Sequence, residues 1–186
     1  TKDSDVDVVI AKLGLPLIIK PVNEGSSIGM SKVKSATELM AAIKLATKFD
    51  AEVIAERWIV GQEFTVAIIG EESLPVIELK TPHEFYDFDA KYQANTTQYL
   101  CPCNLSEQDE QQCRQLALHA FKALRMKGWG RIDFMRDQSG QFYLLEANSI
   151  PGMTDHSLVP MAAKQAGLSF ADLVWKILEI SMRGVR

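Results

Sequence analysis

The sequence predicts an α+β fold in which antiparallel sheets carry packed helices, and three observations lead there. Apolar runs Ile132 to Met135 and Phe142 to Leu145 flank the polar connection Asp137-Gln138-Ser139-Gly140, the pattern of two antiparallel strands and a short turn. Strand-like segments Ala51 to Trp58, Glu63 to Ile69 and Leu74 to Thr81 follow one another across short turns and read as consecutive antiparallel strands. The remaining segments place apolar residues three and four positions apart behind recognisable caps, which marks amphipathic helices. With 186 residues, 47% of them hydrophobic and 24% charged, the chain can bury a real core as one large domain or two small ones.

In chain order, Asp5 can cap a helix with Val6, Val9, Ile10 and Leu13 on one side, and Gly14 with Pro16 stops it. Leu17 to Lys20 is a short apolar strand. Gly25, Ser26, Ser27 and Gly29 then form a loop between two strands, whose open amides and hydroxyls suit a phosphate and equally suit an ordinary hairpin loop. Lys20, at the strand end, can reach a phosphate oxygen or simply stand in solvent. Ser35-Ala-Thr-Glu38 is a capping box opening a helix with Leu39, Met40, Ile43, Leu45 and Ala46. The alternation of Ala51 to Trp58 breaks at Glu56. Glu56, Arg57, Trp58 and Ile59 set a carboxylate and backbone groups beside apolar side chains, which can receive an adenine and its ribose; a core-lining strand explains them equally well.

Pro82 to Thr97 lacks periodicity, yet its Phe85, Tyr86, Phe88 and Tyr92 favour an ordered functional lid. Lys91 within it can swing onto a phosphate when such a lid closes. Tyr99 and Leu100 form a strand ahead of Cys101-Pro-Cys103. Ser106-Glu-Gln-Asp109 starts a helix running to about Met126, with Leu116, Ala117, Ala120, Phe121 and Leu124 on its buried side and Gly128 ending it. After the hairpin, a helix runs to Ala166 and is stopped by Gly167, and Ser169 caps a final helix through Leu178. His156 reads as a loop contact, since no carboxylate is paired with it nearby.

The chemistry concentrates at the open end of the hairpin. Arg131 and Asp133 stand where the first strand enters, Glu146 and Asn148 where the second leaves, and antiparallel pairing brings both groups to one end of the ribbon. Two carboxylates and an amide are hard oxygen ligands that suit Mg²⁺, an ion that takes one or two carboxylates and fills its other positions with water and nucleotide phosphate. Solvated strand-end charges would look the same.

Composition narrows the partners. The net charge is -4 and no Lys/Arg run exists, which argues against a nucleic-acid binder. Apolar stretches fall well short of the roughly 20 residues needed to cross a bilayer. Cys101, Cys103 and Cys113 are odd in number and match no common zinc spacing, so they read as reduced thiols of a cytoplasmic protein.

Taken together, KPVNEGSSIGMSKV, ERWIVGQEFTV, FYDFDAKY, GWGRIDFM and YLLEANSIPGMTDHSLVPMAAKQAG resemble the D-alanine-D-alanine ligase family of the ATP-grasp superfamily, in the family's order and over almost the whole chain. The resemblance implies an ATP-grasp fold with the nucleotide between two α+β subdomains, residues 1–56 belonging to the central one and 57–186 to the C-terminal one. By resemblance Lys20 contacts nucleotide phosphate, the Glu24 to Gly29 loop with Ser26 and Ser27 covers it, Glu56, Arg57, Trp58 and Ile59 frame the adenine, and Glu63 accepts the ribose hydroxyls. Phe85 joins the nucleotide site. Lys91 and Tyr92 match the mobile loop, and a Lys-Tyr pair there resembles the dipeptide-forming members over those that use D-lactate. Asp133, Glu146 and Asn148 match the family's magnesium ligands, two ions with manganese an acceptable substitute. Arg131 and the amide of Gly152 match the groups around the acyl phosphate and tetrahedral intermediate, and Ser157 and Leu158 match the second D-alanine site. Ser26, Lys91 and Tyr92 take catalytic roles alongside Arg131 and Gly152.

The implied reaction joins two D-alanine molecules. The γ-phosphoryl of ATP converts the first carboxylate into an acyl phosphate, and the second amine attacks it, giving D-Ala-D-Ala for peptidoglycan synthesis and cell-wall biogenesis. The resemblance also implies a homodimer for the full-length protein. The family carries an N-terminal domain and an earlier phosphate-binding lysine that these 186 residues lack, so a piece of a longer protein, inactive alone, is expected. Two other readings stay open: an ATP-grasp carboxylate-amine ligase with another acceptor, and a non-catalytic nucleotide-binding module.

Overall fold

The computed structural model describes residues 3–25, 27–80, 97–154 and 156–183, with side chains from residue 6 onward. The chain divides into two compact units, one within Thr1–Ile59 and the other built from Val60–Lys80 and Thr97–Arg186. Ser26, Phe85, Lys91 and Tyr92 lie outside the described residues.

The first unit contains helix α1 (Asp3–Leu13), strands β1 (Leu17–Pro21) and β2 (Ser31–Val33), helix α2 (Ala36–Ala46) and strand β3 (Val53–Arg57). Its sheet has the order β2-β1-β3, antiparallel throughout. Helix α1 already runs at Asp3, so Asp5 lies in its first turn and does not cap it. Gly14 ends it as expected, at φ 77° with its N–H on the Ile10 carbonyl. The capping box of α2 is only half made: Ser35 makes no side-chain cap bond, while a Glu38 oxygen accepts from the Lys34 N–H at 2.7 Å. Leu39, Ala42 and Ala46 pack on Leu17, Ile19 and Val33, and Leu45 points outward.

The second unit contains β4 (Gly61–Ile69), β5 (Glu72–Ser73), β6 (Ile77–Lys80), β7 (Gln98–Leu100), helix α3 (Glu107–Ala123), β8 (Trp129–Asp137), β9 (Phe142–Asn148), and helices α4 (Leu158–Gln165) and α5 (Phe170–Arg183). Among the described residues its sheet runs β7-β6-β4-β8-β9, with β5 folded back on β4. The expectation of three consecutive antiparallel strands from residue 51 holds for β4 to β6 and fails for β3, which pairs with β1 in the first unit. Apolar alternation identifies a strand, but a partner more than thirty residues upstream leaves no local mark.

Helix α3 begins as expected, with the Ser106 hydroxyl accepting from the Asp109 N–H at 3.1 Å. It stops sooner, at Ala123, because Arg125 adopts φ 54° and the Met126 N–H returns to the Phe121 carbonyl. Leu124 is therefore 55% exposed and not part of the buried side. The rest of that side holds: Ala117 and Phe121 are buried together with Cys113 on Phe64, Val66, Ile68, Ile132, Phe134 and Phe142, and Leu116 and Ala120 pack partly buried against the same core. At α5 the Ser169 hydroxyl and the Asp172 carboxylate cap each other's N–H groups, and the helix continues beyond Leu178 to Arg183.

Candidate active site

Strand alternation sets the site. In β4 and β8 the core takes Phe64, Val66, Ile132 and Phe134, so Glu63, Thr65, Arg131 and Asp133 fall on the opposite face. Thr65 and Asp133 are direct cross-strand partners. Strand β9 reaches the same face through a bulge. Phe134 pairs with Leu144 but Asp133 pairs with Glu146, leaving Leu145 as an extra residue. Without it, Glu146 would oppose Ile132 on the core face. With it, Ala147 packs on the core while Glu146 and Asn148 stand beside Asp133 and Arg131.

Asp133 is 6% exposed. Such a carboxylate persists as an ion only if paired and hydrogen-bonded. Arg131 supplies the charge as a fork, its Nε donating to Asp133 Oδ1 at 2.8 Å and an Nη2 hydrogen to Oδ2 at 2.7 Å. The Thr65 hydroxyl donates to Oδ1 at 2.5 Å and the Asn148 amide to Oδ2 at 3.0 Å. Each of the four acceptor positions of the carboxylate is thus occupied.

The donor set fits a hard divalent cation. Asp133 and Glu146 are cross-strand neighbours, Glu146 is exposed, and Asn148 already touches Asp133; a half turn of its amide presents Oδ1 where the N–H₂ now lies. No group of three or more His, Cys, Asp or Glu side chains forms a metal cluster among the described residues. A cation here would take two carboxylates and one amide, leaving positions for water and phosphate.

The other expected residues are placed as follows. Lys20 and Glu56 are brought together in the first unit as an ion pair at 2.7 Å. Arg57 turns its Nε to the Leu13 carbonyl at 3.2 Å, which ties β3 to the end of α1. The Trp58 ring carries the Lys32 ammonium 4.1 Å above its centroid, and Ile59 is half-buried beside it in sequence. Ser27 sits at φ 62° in the loop between β1 and β2, where the Ile28 and Met30 amides bond back to Gly25 and Ser27. In the second unit, Gly152 and Ser157 come together: a Cβ on Gly152 would lie 3.0 Å from Ser157 Oγ. That hydroxyl accepts from the Thr154 N–H at 2.9 Å, and Leu158 opens α4.

Two polar features escaped the sequence reading. Thr65 was legible in principle, since Glu63-Phe-Thr-Val alternates polar and apolar positions and so sets Thr65 on the face away from Phe64 and Val66. Glu78, 1% exposed, carried no signal; it accepts from Gln62 Nε2 at 3.0 Å and Asn104 Nδ2 at 2.9 Å, which holds the segment after β7 against β6. Burial, the leading cause, pushes the Cys101 thiol up to about 11 and that of Cys113 up to about 12. Both are neutral at pH 7 and unsuited to nucleophilic work.

A family model described as the D-ala D-ala ligase C-terminus matches residues 1–179. The D-alanine-D-alanine ligase of Alkalilimnicola ehrlichii is 58% identical over 181 residues, covering 97% of this chain and 58% of that protein. That of Acinetobacter baumannii is 55% identical over 186 residues, 99% of this chain and 60% of that protein. The chain therefore spans about three-fifths of the length of these curated relatives. Among solved structures, the VanG D-Ala:D-Ser ligase of Enterococcus faecalis superposes with TM-score 0.86 at 35% identity, over 96% of this chain and 53% of that one. The D-alanine-D-alanine ligase of Bacillus anthracis complexed with ATP gives 0.79 at 32% identity, over 94% and 55%.

Proposed function

Since the chain belongs to the D-Ala-D-Ala ligase C-terminal family, we propose that the complete protein joins two D-alanine molecules at the expense of ATP, passing through a D-alanyl phosphate. The observation that carries this reading is the gathering of Arg131, Asp133 and Asn148 on one sheet face with Glu146 opposite Asp133.

Each residue has a chemical task in the reaction. A carboxylate is a poor acyl donor because oxide does not leave; phosphorylation replaces it with phosphate, which does. Lys20 presents an ammonium to the phosphates, drawn from its pairing with Glu56. Glu56, Arg57, Trp58 and Ile59 bind the adenine, and Glu63 accepts from the ribose hydroxyls. Asp133, Glu146 and Asn148 would hold Mg²⁺. When bound, that ion supplies positive charge to the phosphate oxygens of ATP. Arg131 and the Gly152 N–H stabilise the oxyanion formed when the second amine attacks. Ser157 and Leu158 orient the second D-alanine, and the segment with Phe85, Lys91 and Tyr92 excludes water from the acyl phosphate. The family resemblance supports a homodimer working in the cytoplasm, where this chemistry has ATP.

A second reading is favoured by one observation, the fit to a D-Ala:D-Ser ligase: D-serine as acceptor. Product identification by mass spectrometry, with the complete protein given D-alanine together with D-serine or D-lactate, decides between them, because the D-alanine donor is itself an acceptor in every mixture. The expected result is turnover with D-alanine alone, lost by a factor of about 100 or more in Asp133→Ala. Equal turnover with D-serine would favour the second reading, and unchanged activity in Asp133→Ala would remove the cation assignment.

A further inference from the structure

We infer that Thr65 is a positioning residue for the Asp133 carboxylate, engaging one of its oxygens so that a divalent cation meets the oxygen beside Asn148. The inference rests on the reading of Asp133, Glu146 and Asn148 as cation ligands given above.

Thr65 is 2% exposed. Burying a hydroxyl is unfavourable unless it is bonded, and valine would fill the same volume without one. The single hydroxyl proton has two acceptors in reach, Asp133 Oδ1 at 2.5 Å and the Ile132 carbonyl at 3.4 Å. The shorter, charged acceptor takes it.

Among the described residues, the other two partners of Asp133 do not perform this task. Arg131 grips both oxygens at nearly equal length, 2.8 and 2.7 Å, and so treats them alike. Asn148 touches Oδ2 through an amide that a cation would turn around. Among the described residues, only Thr65 engages Oδ1 from a strand on the far side of Asp133 from β9. Its β-branched side chain has restricted χ1 freedom, so the donor is held in one direction. The Arg131 fork fixes the plane of the carboxylate but leaves its two oxygens alike, so without the Thr65 contact both would compete for the cation.

The test measures Mn²⁺ affinity of the full chain by electron paramagnetic resonance of the free ion, with a non-hydrolysable ATP analogue present. Thr65→Val should weaken Mn²⁺ about tenfold, as loss of a group orienting a metal ligand does, while Thr65→Ser, which keeps the hydroxyl, should stay within about twofold. Unchanged affinity in Thr65→Val overturns the inference, and so does Thr65→Ser falling as far as Thr65→Val, which would mark a packing role. If the valine variant does not fold, Thr65→Ala is read in its place by the same criteria. Asp133→Asn separates the two layers of argument. A loss of Mn²⁺ there with none in Thr65→Val and Thr65→Ala defeats only the Thr65 assignment, whereas no loss in Asp133→Asn defeats the ligand reading itself.

Discussion

Single side chains in this protein divide by what surrounds them more than by what they are. Asp133 and Glu146 are opposite one another on paired strands, yet one is wrapped by four hydrogen bonds and the other is exposed. The same contrast governs the thiols. Cys113 is buried against Phe64 and Phe121, and burial raises its thiol from 9.0 to about 12. The folded protein keeps that proton where the unfolded chain gives it up. This contribution to stability is therefore complete below pH 9 and is lost as the pH climbs from 9.0 toward about 12. Urea unfolding between pH 8 and pH 10.5 should show stability falling more steeply for the native chain than for Cys113→Ala, which loses packing at every pH but has no thiol to titrate. Parallel slopes would show that another group controls the alkaline limb.

Among the elements, β4 and β8 approach closely enough to demand glycine at one point. A Cβ on Gly61 would lie 1.8 Å from the Arg136 carbonyl oxygen, which is backbone and has no rotamer to yield. Gly61→Ala should cost about 3 kcal/mol in chemical denaturation, at the upper end for overpacking. A cost below about 0.5 kcal/mol, the range of ordinary surface changes, would mean that the strand start frays without consequence. The elements also show where sequence reading reaches and where it stops. Ser106, Gly14 and Gly167 announced helix boundaries because capping is local chemistry written in a few consecutive residues. The end of α3 was misplaced because Arg125 already takes a left-handed turn three residues ahead of Gly128, which is left-handed too at φ 76°. The convergence of Asp133 with Asn148 was legible from a hairpin, but the bulge behind it was not. Leu145 continues an apolar run, and nothing in that run says that one residue will go unpaired. For β3 the alternation was read correctly and its partner was not, since pairing depends on the whole chain.

On the scale of the whole molecule, each unit has a hydrophobic core of its own, Leu17, Ile19, Val33 and Leu39 in one and Phe64, Val66, Ile132 and Phe134 in the other. Leu17→Ala and Phe64→Ala should each cost about 2–5 kcal/mol. Amide hydrogen exchange should localise the loss, to β1–β3 for the first and to β4, β8 and β9 for the second. Equal acceleration everywhere would show a single cooperative block. The donors around Asp133 come from residue 65 at one extreme and residue 148 at the other, on three neighbouring strands. Contacts so distant in sequence form late, after the intervening chain has closed its loops. The site accordingly has no precursor: a nascent chain emerging from the ribosome lacks it until Asn148 has been made and docked. In refolding, the onset of tight cation binding would then serve as a clock for the final strand joining the sheet.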